Sequence, residues 1–192
     1  MKSRQVCRMD KHYITADALL ADSFRLARAI YDSGFEPTHI VGIWRGGAPV
    51  GIAVQEYLAW RGIDSDHIAI RTSAYSGIDE LNRDVHVFGE GYLVDTLNSG
   101  DRLLIVDDVF DSGRSIEAVL KVLRAKCRRN FPGDVRVATV YYKPSRNRTE
   151  MVPDYFVHER EDWLVFPHEL CGLSDAEIEA KGAAGPIALD QT

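Results

Sequence analysis

Cysteine is scarce in this chain of 192 residues: Cys7, Cys127 and Cys171 are odd in number and far apart. That excludes a disulfide-built scaffold and offers no Cys-x-x-Cys or Cys/His spacing for zinc, so all three read as free thiols. No run of ~20 apolar residues exists, which excludes a membrane-spanning helix, and Met1 to Asp10 lacks the apolar stretch of a signal peptide. Both absences point to the cytoplasm and to no membrane partner. Basic excess is also missing: 23 Lys and Arg stand against 29 Asp and Glu, a formal net charge of -6. A protein that grips nucleic acid by neutralising phosphates needs the opposite balance, so no nucleic-acid partner is expected. Lys121, Arg124, Lys126, Arg128 and Arg129 do cluster, but late in a helix, where cations complement the carbonyl end of the dipole. No repeat, low-complexity segment or linker divides the chain. What is present is 45% hydrophobic residues, enough for one domain with a full core.

Apolar spacing predicts a helix from Ala16 to Ser33, with Thr15 as N-cap and Gly34 as its stop. His39 to Trp44 reads as a strand, Gly46-Gly47 as a turn and Ala48 to Trp60 as a second helix. Asp66 to Arg71 is the next strand, and Val85 to Val87 pairs locally. Arg102 to Asp107 reads as the central strand, about Arg114 to Arg129 as a helix, and Val135 to Tyr142 as a β-branched strand. This alternation implies an α/β fold, a central parallel sheet flanked by helices, with ligands at the carboxyl ends of its strands. Residues 15–142 form the core of a single domain over 1–192. Residues 143–171, where the alternation breaks, read as a small C-terminal hood over the sheet's carboxyl edge. Residues 172–192 form a tail whose Ser174-x-x-Glu177 is a capping box.

The chemistry concentrates in Leu103 to Ser115, an apolar strand followed by Asp107, Asp108 and then Asp111-Ser112-Gly113-Arg114-Ser115. Backbone N–H groups of Ser112, Gly113, Arg114 and Ser115 at a helix start suit a phosphate. Adjacent carboxylates suit ribose hydroxyls or a hard cation bridging them. Upstream, Arg45-Gly46-Gly47 places a cation and two residues without side chains at a strand end, where backbone can approach an anion. Read alone, these stretches also fit an ordinary strand, turn and capped helix with a surface arginine. Thr72 to Arg83 is polar and reads as a long loop.

The strand, paired acids and Asp-Ser-Gly-Arg-Ser run closely resemble the phosphoribosyl pyrophosphate (PRPP) motif of type I phosphoribosyltransferases, in particular the purine branch. The resemblance covers about residues 35–170. It implies that Asp107, Asp108, Asp111, Ser112, Gly113, Arg114 and Ser115 bind PRPP, and that Arg45, Gly46 and Gly47 receive pyrophosphate. It also implies a cis bond between Trp44 and Arg45. Ala74-Tyr75 stands where hypoxanthine-guanine enzymes carry Ser-Tyr in a flexible catalytic loop, so the serine hydroxyl is missing here. Lys143 looks like the lysine that meets a 6-oxopurine's oxygen, Trp163-Leu164 like the Trp-Ile pair that holds the ring, and Glu169 like an acid near the base or a metal-bound water.

The resemblance thus implies a Mg²⁺-dependent transferase, with Asp107, Asp108 and Glu169 near the metal, that joins hypoxanthine, guanine or xanthine to PRPP. The products are pyrophosphate and a nucleoside monophosphate. Asp111 and Arg45 are its expected catalytic residues, and a homo-oligomer is its common state. An enzyme acting on another base and a PRPP-sensing or RNA-binding regulator of the same fold are the alternatives. Adenine would set an amino donor against Lys143, a mismatch that favours the 6-oxopurine.

Overall fold

Strand β1 (Lys11–Tyr13), which the sequence pattern does not reveal, leads into helix α1 (Ala16–Asp32), whose first turn is capped by Thr15 Oγ1 accepting from the Ala18 N–H at 3.1 Å. Gly34, at φ +76°, lies just past the helix as expected, in the left-handed region where a missing Cβ costs nothing. Then come β2 (His39–Trp44), α2 (Gly47–Trp60), β3 (Asp66–Ala74), β4 (Val85–Phe88) and α3 (Gly91–Thr96). The second half holds β5 (Arg102–Phe110), α4 (Arg114–Cys127), β6 (Asp134–Tyr142), β7 (Tyr155–Glu159), β8 (Trp163–Val165) and α5 (Asp175–Ala180). This computed structural model describes residues 11–74 and 85–181 and falls into two units: 20–161, and 11–19 with 162–181.

The larger unit is built on a six-stranded sheet of order β4-β3-β2-β5-β6-β7, parallel except for β4, which runs antiparallel beside β3. Successive residues of a strand face opposite sides. Val41, Ile43, Leu103, Ile105 and Val137 accordingly share one core with Ile116, Val119, Leu120 and Leu123 of α4. The alternate residues serve the other face, where Gly42 lies against α2: a Cβ on Gly51 would stand 3.6 Å from Gly42 Cα. Strands buried on both faces read as continuous apolar runs, which is why Leu103 to Val106 is legible as a strand.

Several expectations change. β5 continues past the expected end at Asp107 to Phe110, so Asp108 also sits within the strand. Thr72 to Ala74, expected in a loop, extend β3 because they pair with Val85 to Val87. The main sheet does not end at Tyr142: Tyr155 to Glu159, expected in the hood, form its edge strand, pairing parallel with β6. The smaller unit contains the two-stranded parallel sheet of β1 and β8, with Lys11 opposite Trp163. In α5 the capping box forms: Ser174 Oγ accepts from Glu177 N–H, and Glu177 Oε2 accepts from Ser174 N–H at 2.9 Å. Cys127 is buried and free, Cys171 exposed and free, and Cys7 lies outside the described residues. Among the described residues no helix is long and apolar enough to cross a membrane.

Candidate active site

The carboxyl end of β5 carries the acids. Asp108 N–H donates to Asp107 Oδ1 at 3.0 Å, which ties the Asp107 side chain to the backbone of its neighbour. Burial first, and the neighbouring Asp108 charge second, push the Asp107 carboxyl well above the ordinary carboxylate range. Working against that shift, the Gly47 N–H donates to the same carboxylate. The start of α2 and the acidic pair of β5 therefore form one structure, although sixty positions of sequence lie between them.

The two glycines exist because of this approach. A Cβ on Gly46 would stand 2.0 Å from Asp108 Oδ2, and one on Gly47 would stand 2.4 Å from the Val106 carbonyl oxygen. No other residue fits there without displacing the acids. The peptide bond from Trp44 to Arg45 is cis, as the resemblance implies. Arg45 is exposed; no side chain at the N-cap position serves α2, whose Gly47 N–H donates to the Asp107 carboxylate and whose Ala48 N–H donates to the Arg45 carbonyl at 3.2 Å.

The loop from Asp111 to Ser115 is tightly packed in the same way. Gly113 is the N-cap of α4 at φ +75°, and a Cβ there would meet Thr149 Oγ1 at 2.6 Å and the Phe110 ring at 2.8 Å. α4 also lacks a side-chain cap, leaving its amino end for an anion. A cavity of about 430 Å³ opens there, lined by Val85, Asp111, Ser112, Arg114, Ser115, Arg146 and Arg148. Asp111 Oδ1 is paired with Arg146 Nε at 2.8 Å, both side chains being partly exposed. Sequence reading missed Arg146 and Arg148. Their signal was position: two cations in the residues that follow a parallel strand, at the sheet edge where ligands bind.

Lys143 directly follows β6 and is 5% exposed, with its N–H donating to the Phe110 carbonyl at 3.0 Å. Its charge helps hold the Glu161 carboxyl below the ordinary range, behind the larger effect of the Ser145 hydroxyl and N–H donating to that carboxylate. In the smaller unit Trp163 is 50% exposed, so its indole is not a core residue, while Leu164 is buried. Glu169 Oε2 accepts from the Phe166 N–H at 3.1 Å, closing its own turn, and the carbonyls of Phe166 and Glu169 both accept from Lys181 Nζ. Ala74 is the last residue of β3, and Tyr75 lies outside the described residues.

Among the described residues no three His, Cys, Asp or Glu side chains gather at one point. The Asp107–Asp108 pair nevertheless suits Mg²⁺, which takes one or two carboxylates and completes its shell with water and substrate oxygens. Two acids crowded together, one resisting its own ionisation through burial, are a place where a cation is welcome.

The phosphoribosyl transferase domain family matches residues 13–174. The chain is 31% identical over 132 residues to the xanthine-guanine phosphoribosyltransferase of Cereibacter sphaeroides, covering 68% of each. It is 29% identical over 163 residues to the enzyme of that name from a Ruegeria species, covering 82% of this chain and 85% of the relative. Among solved structures, the purine phosphoribosyltransferase of Pyrococcus horikoshii superposes with a TM-score of 0.66 at 26% identity, over 87% of this chain and 99% of that one.

Proposed function

The chain belongs to the phosphoribosyl transferase domain family, and from that premise we propose a purine-salvage enzyme that transfers 5-phosphoribose from PRPP to N9 of hypoxanthine, guanine or xanthine. One observation carries the reading: the Gly46-Gly47 approach to Asp107 and Asp108 sets an anion loop against the acidic pair in a single structure.

The chemistry assigned to each group follows from its type and position. The phosphate of PRPP sits on the uncapped start of α4, with Ser112, Gly113, Arg114 and Ser115 as donors. Asp107 and Asp108 hold the ribose hydroxyls and are the residues that would hold Mg²⁺, which would supply positive charge to offset that of the leaving diphosphate. Arg45 and the Gly46-Gly47 turn receive the pyrophosphate as its bond to the ribose carbon lengthens and the sugar gains oxocarbenium character. Asp111 accepts the proton from the purine imidazole ring as the N-glycosidic bond forms. For the base, Lys143 supplies a donor to the exocyclic oxygen. This is catalysis by positioning and electrostatics, with no covalent enzyme intermediate. The reading includes a cytoplasmic homo-oligomer, whose size light scattering on a sizing column measures.

The test is turnover of PRPP and Mg²⁺ with each of hypoxanthine, guanine, xanthine, adenine and uracil, for the wild type and Asp111→Asn. The expected result is nucleotide from a 6-oxopurine and a fall in kcat of about 10²–10⁴-fold in the variant, with KM for PRPP little changed. Turnover of adenine or uracil alone overturns the base assignment, and equal turnover in the variant overturns the role of Asp111.

A further inference from the structure

The turn that follows Lys143 carries a pair of arginines, and their bonding differs. The turn is stitched to the end of β5 at two places: Lys143 N–H donates to the Phe110 carbonyl and Arg148 N–H to the Ser112 carbonyl, each at 3.0 Å. Asp111 lies between those anchor points. Inside the turn, Arg148 Nη1 donates to the carbonyls of Ser145 and Asn147, both at 3.0 Å, so that guanidinium holds its own loop together. Ser145 N–H is held in turn by Glu161 Oε1 at 3.0 Å. Arg146 differs. Among the described residues its one ion pair is with Asp111, Nε standing 2.8 Å from Oδ1, and its charge also helps lower the Glu161 carboxyl. A guanidinium has five N–H donors, and four of them lie on the two Nη atoms. Those four have no partner among the described residues, while the residue lines the cavity with Ser112, Arg114 and Ser115.

We propose that Arg146 is a bridging residue, whose Nε orients the Asp111 carboxylate while its Nη groups bind an oxygen of the ribose 5-phosphate seated at the start of α4. The inference rests on the phosphoribosyl transfer reading for its catalytic half, since only there does the orientation of Asp111 matter. Arginine suits the task for a geometric reason. Its planar fork presents donors in several fixed directions, so one side chain can serve a carboxylate and a phosphate together. A lysine in its place offers a compact point charge that attracts the phosphate but does not hold the carboxylate at a set angle. The consequence is coupling: the group that recognises the phosphorylated sugar also fixes the acid that takes the proton. Bare ribose compounds forgo that contact.

The experiment compares wild type, Arg146→Gln and Arg146→Lys in two assays, after far-ultraviolet circular dichroism has established that each variant folds. In calorimetric titration with ribose 5-phosphate, Arg146→Gln is expected to bind roughly tenfold more weakly or worse, and Arg146→Lys to recover most of that loss. In steady-state turnover, both variants are expected to lose about tenfold in kcat, because neither holds Asp111 as the fork does. Unchanged binding of ribose 5-phosphate by Arg146→Gln overturns the phosphate contact. Full recovery of kcat in Arg146→Lys overturns the orienting role. A wild type that transfers phosphoribose to no purine overturns the transfer reading and the orienting half with it, whereas the titration still decides whether Arg146 binds the phosphate.

Discussion

Replacing Gly47 by alanine should unfold the protein early, and the reason lies in which atoms the new methyl meets. Gly47 is the first residue of α2, and its Cβ would stand 2.4 Å from the Val106 carbonyl oxygen, 2.9 Å from Asp107 Cα and 3.0 Å from Asp107 Oδ1. Two of those are backbone atoms of the central strand β5, which cannot rotate away, so the helix start must lift off the sheet. Overpacking of this kind costs about 1–3 kcal/mol. For a chain of this size that lowers Tm by about 2–12 °C. Two neighbours make the argument sharper. Gly51→Ala, one turn along the same helix, places its Cβ at 3.6 Å from Gly42 Cα, ordinary contact, and should gain about 0.5–1 kcal/mol because alanine is the better helix former. Gly46→Ala would meet the Asp108 carboxylate, a side chain, so the variant should keep more of its stability than Gly47→Ala while losing turnover as the acid is displaced. Thermal unfolding by circular dichroism in ligand-free buffer, with kcat/KM for PRPP alongside, reads all three. A Gly47→Ala protein melting at or above the wild type, or Gly51→Ala melting as early as Gly47→Ala, would refute the reasoning.

Other consequences can be checked with the same instruments. Burial and Asp108 raise the Asp107 carboxyl, so the fold disfavours its charged form and loses stability as pH rises from 3.8 through the raised value. Asp107→Asn should therefore melt higher than wild type at pH 7 in a metal-free buffer, lose that advantage below pH 3.8, and show less stabilisation by Mg²⁺; a lower melting point at pH 7 contradicts this. Glu177 is held at about 2, from an ordinary 4.5, chiefly by Lys11 donating to it and then by the N–H and hydroxyl of Ser174. Its contribution is full above pH 4.5 and disappears as pH falls toward about 2, so the wild type should lose stability over that window faster than Glu177→Gln. Parallel melting curves for the two proteins across it would remove Glu177 from the account.

What the sequence made legible, and what it hid, divides along physical lines. Leu103 to Val106 is apolar without interruption because β5 is covered on both faces, and a strand in that position must look that way. Strand β7, Tyr-Phe-Val-His-Glu, is an edge strand with partly exposed residues throughout, so it carries no such run. Its connection from β6 also contains no long helix, only a short 3-10 turn at Pro144 to Arg146, and a parallel crossover without a helix does not announce itself. The glycines at 46 and 47 were readable as residues that admit an anion, but their closeness to Asp107 and Asp108 comes from packing of α2 on β5, which no local pattern encodes. Arg146 was hidden for a related reason. Nothing in its immediate neighbours marks it out; its meaning comes from the register of β5 with β6, where Phe110 pairs with Tyr142. That pairing carries the chain after Tyr142 past the chain after Phe110, bringing Arg146 to Asp111. In a parallel sheet every strand delivers its next few residues to the same edge, so the segments after β2, β5 and β6 share one place without sharing any motif. The charge that completes such a site is therefore to be sought after each strand of the sheet, including strands whose own sequence carries no chemistry.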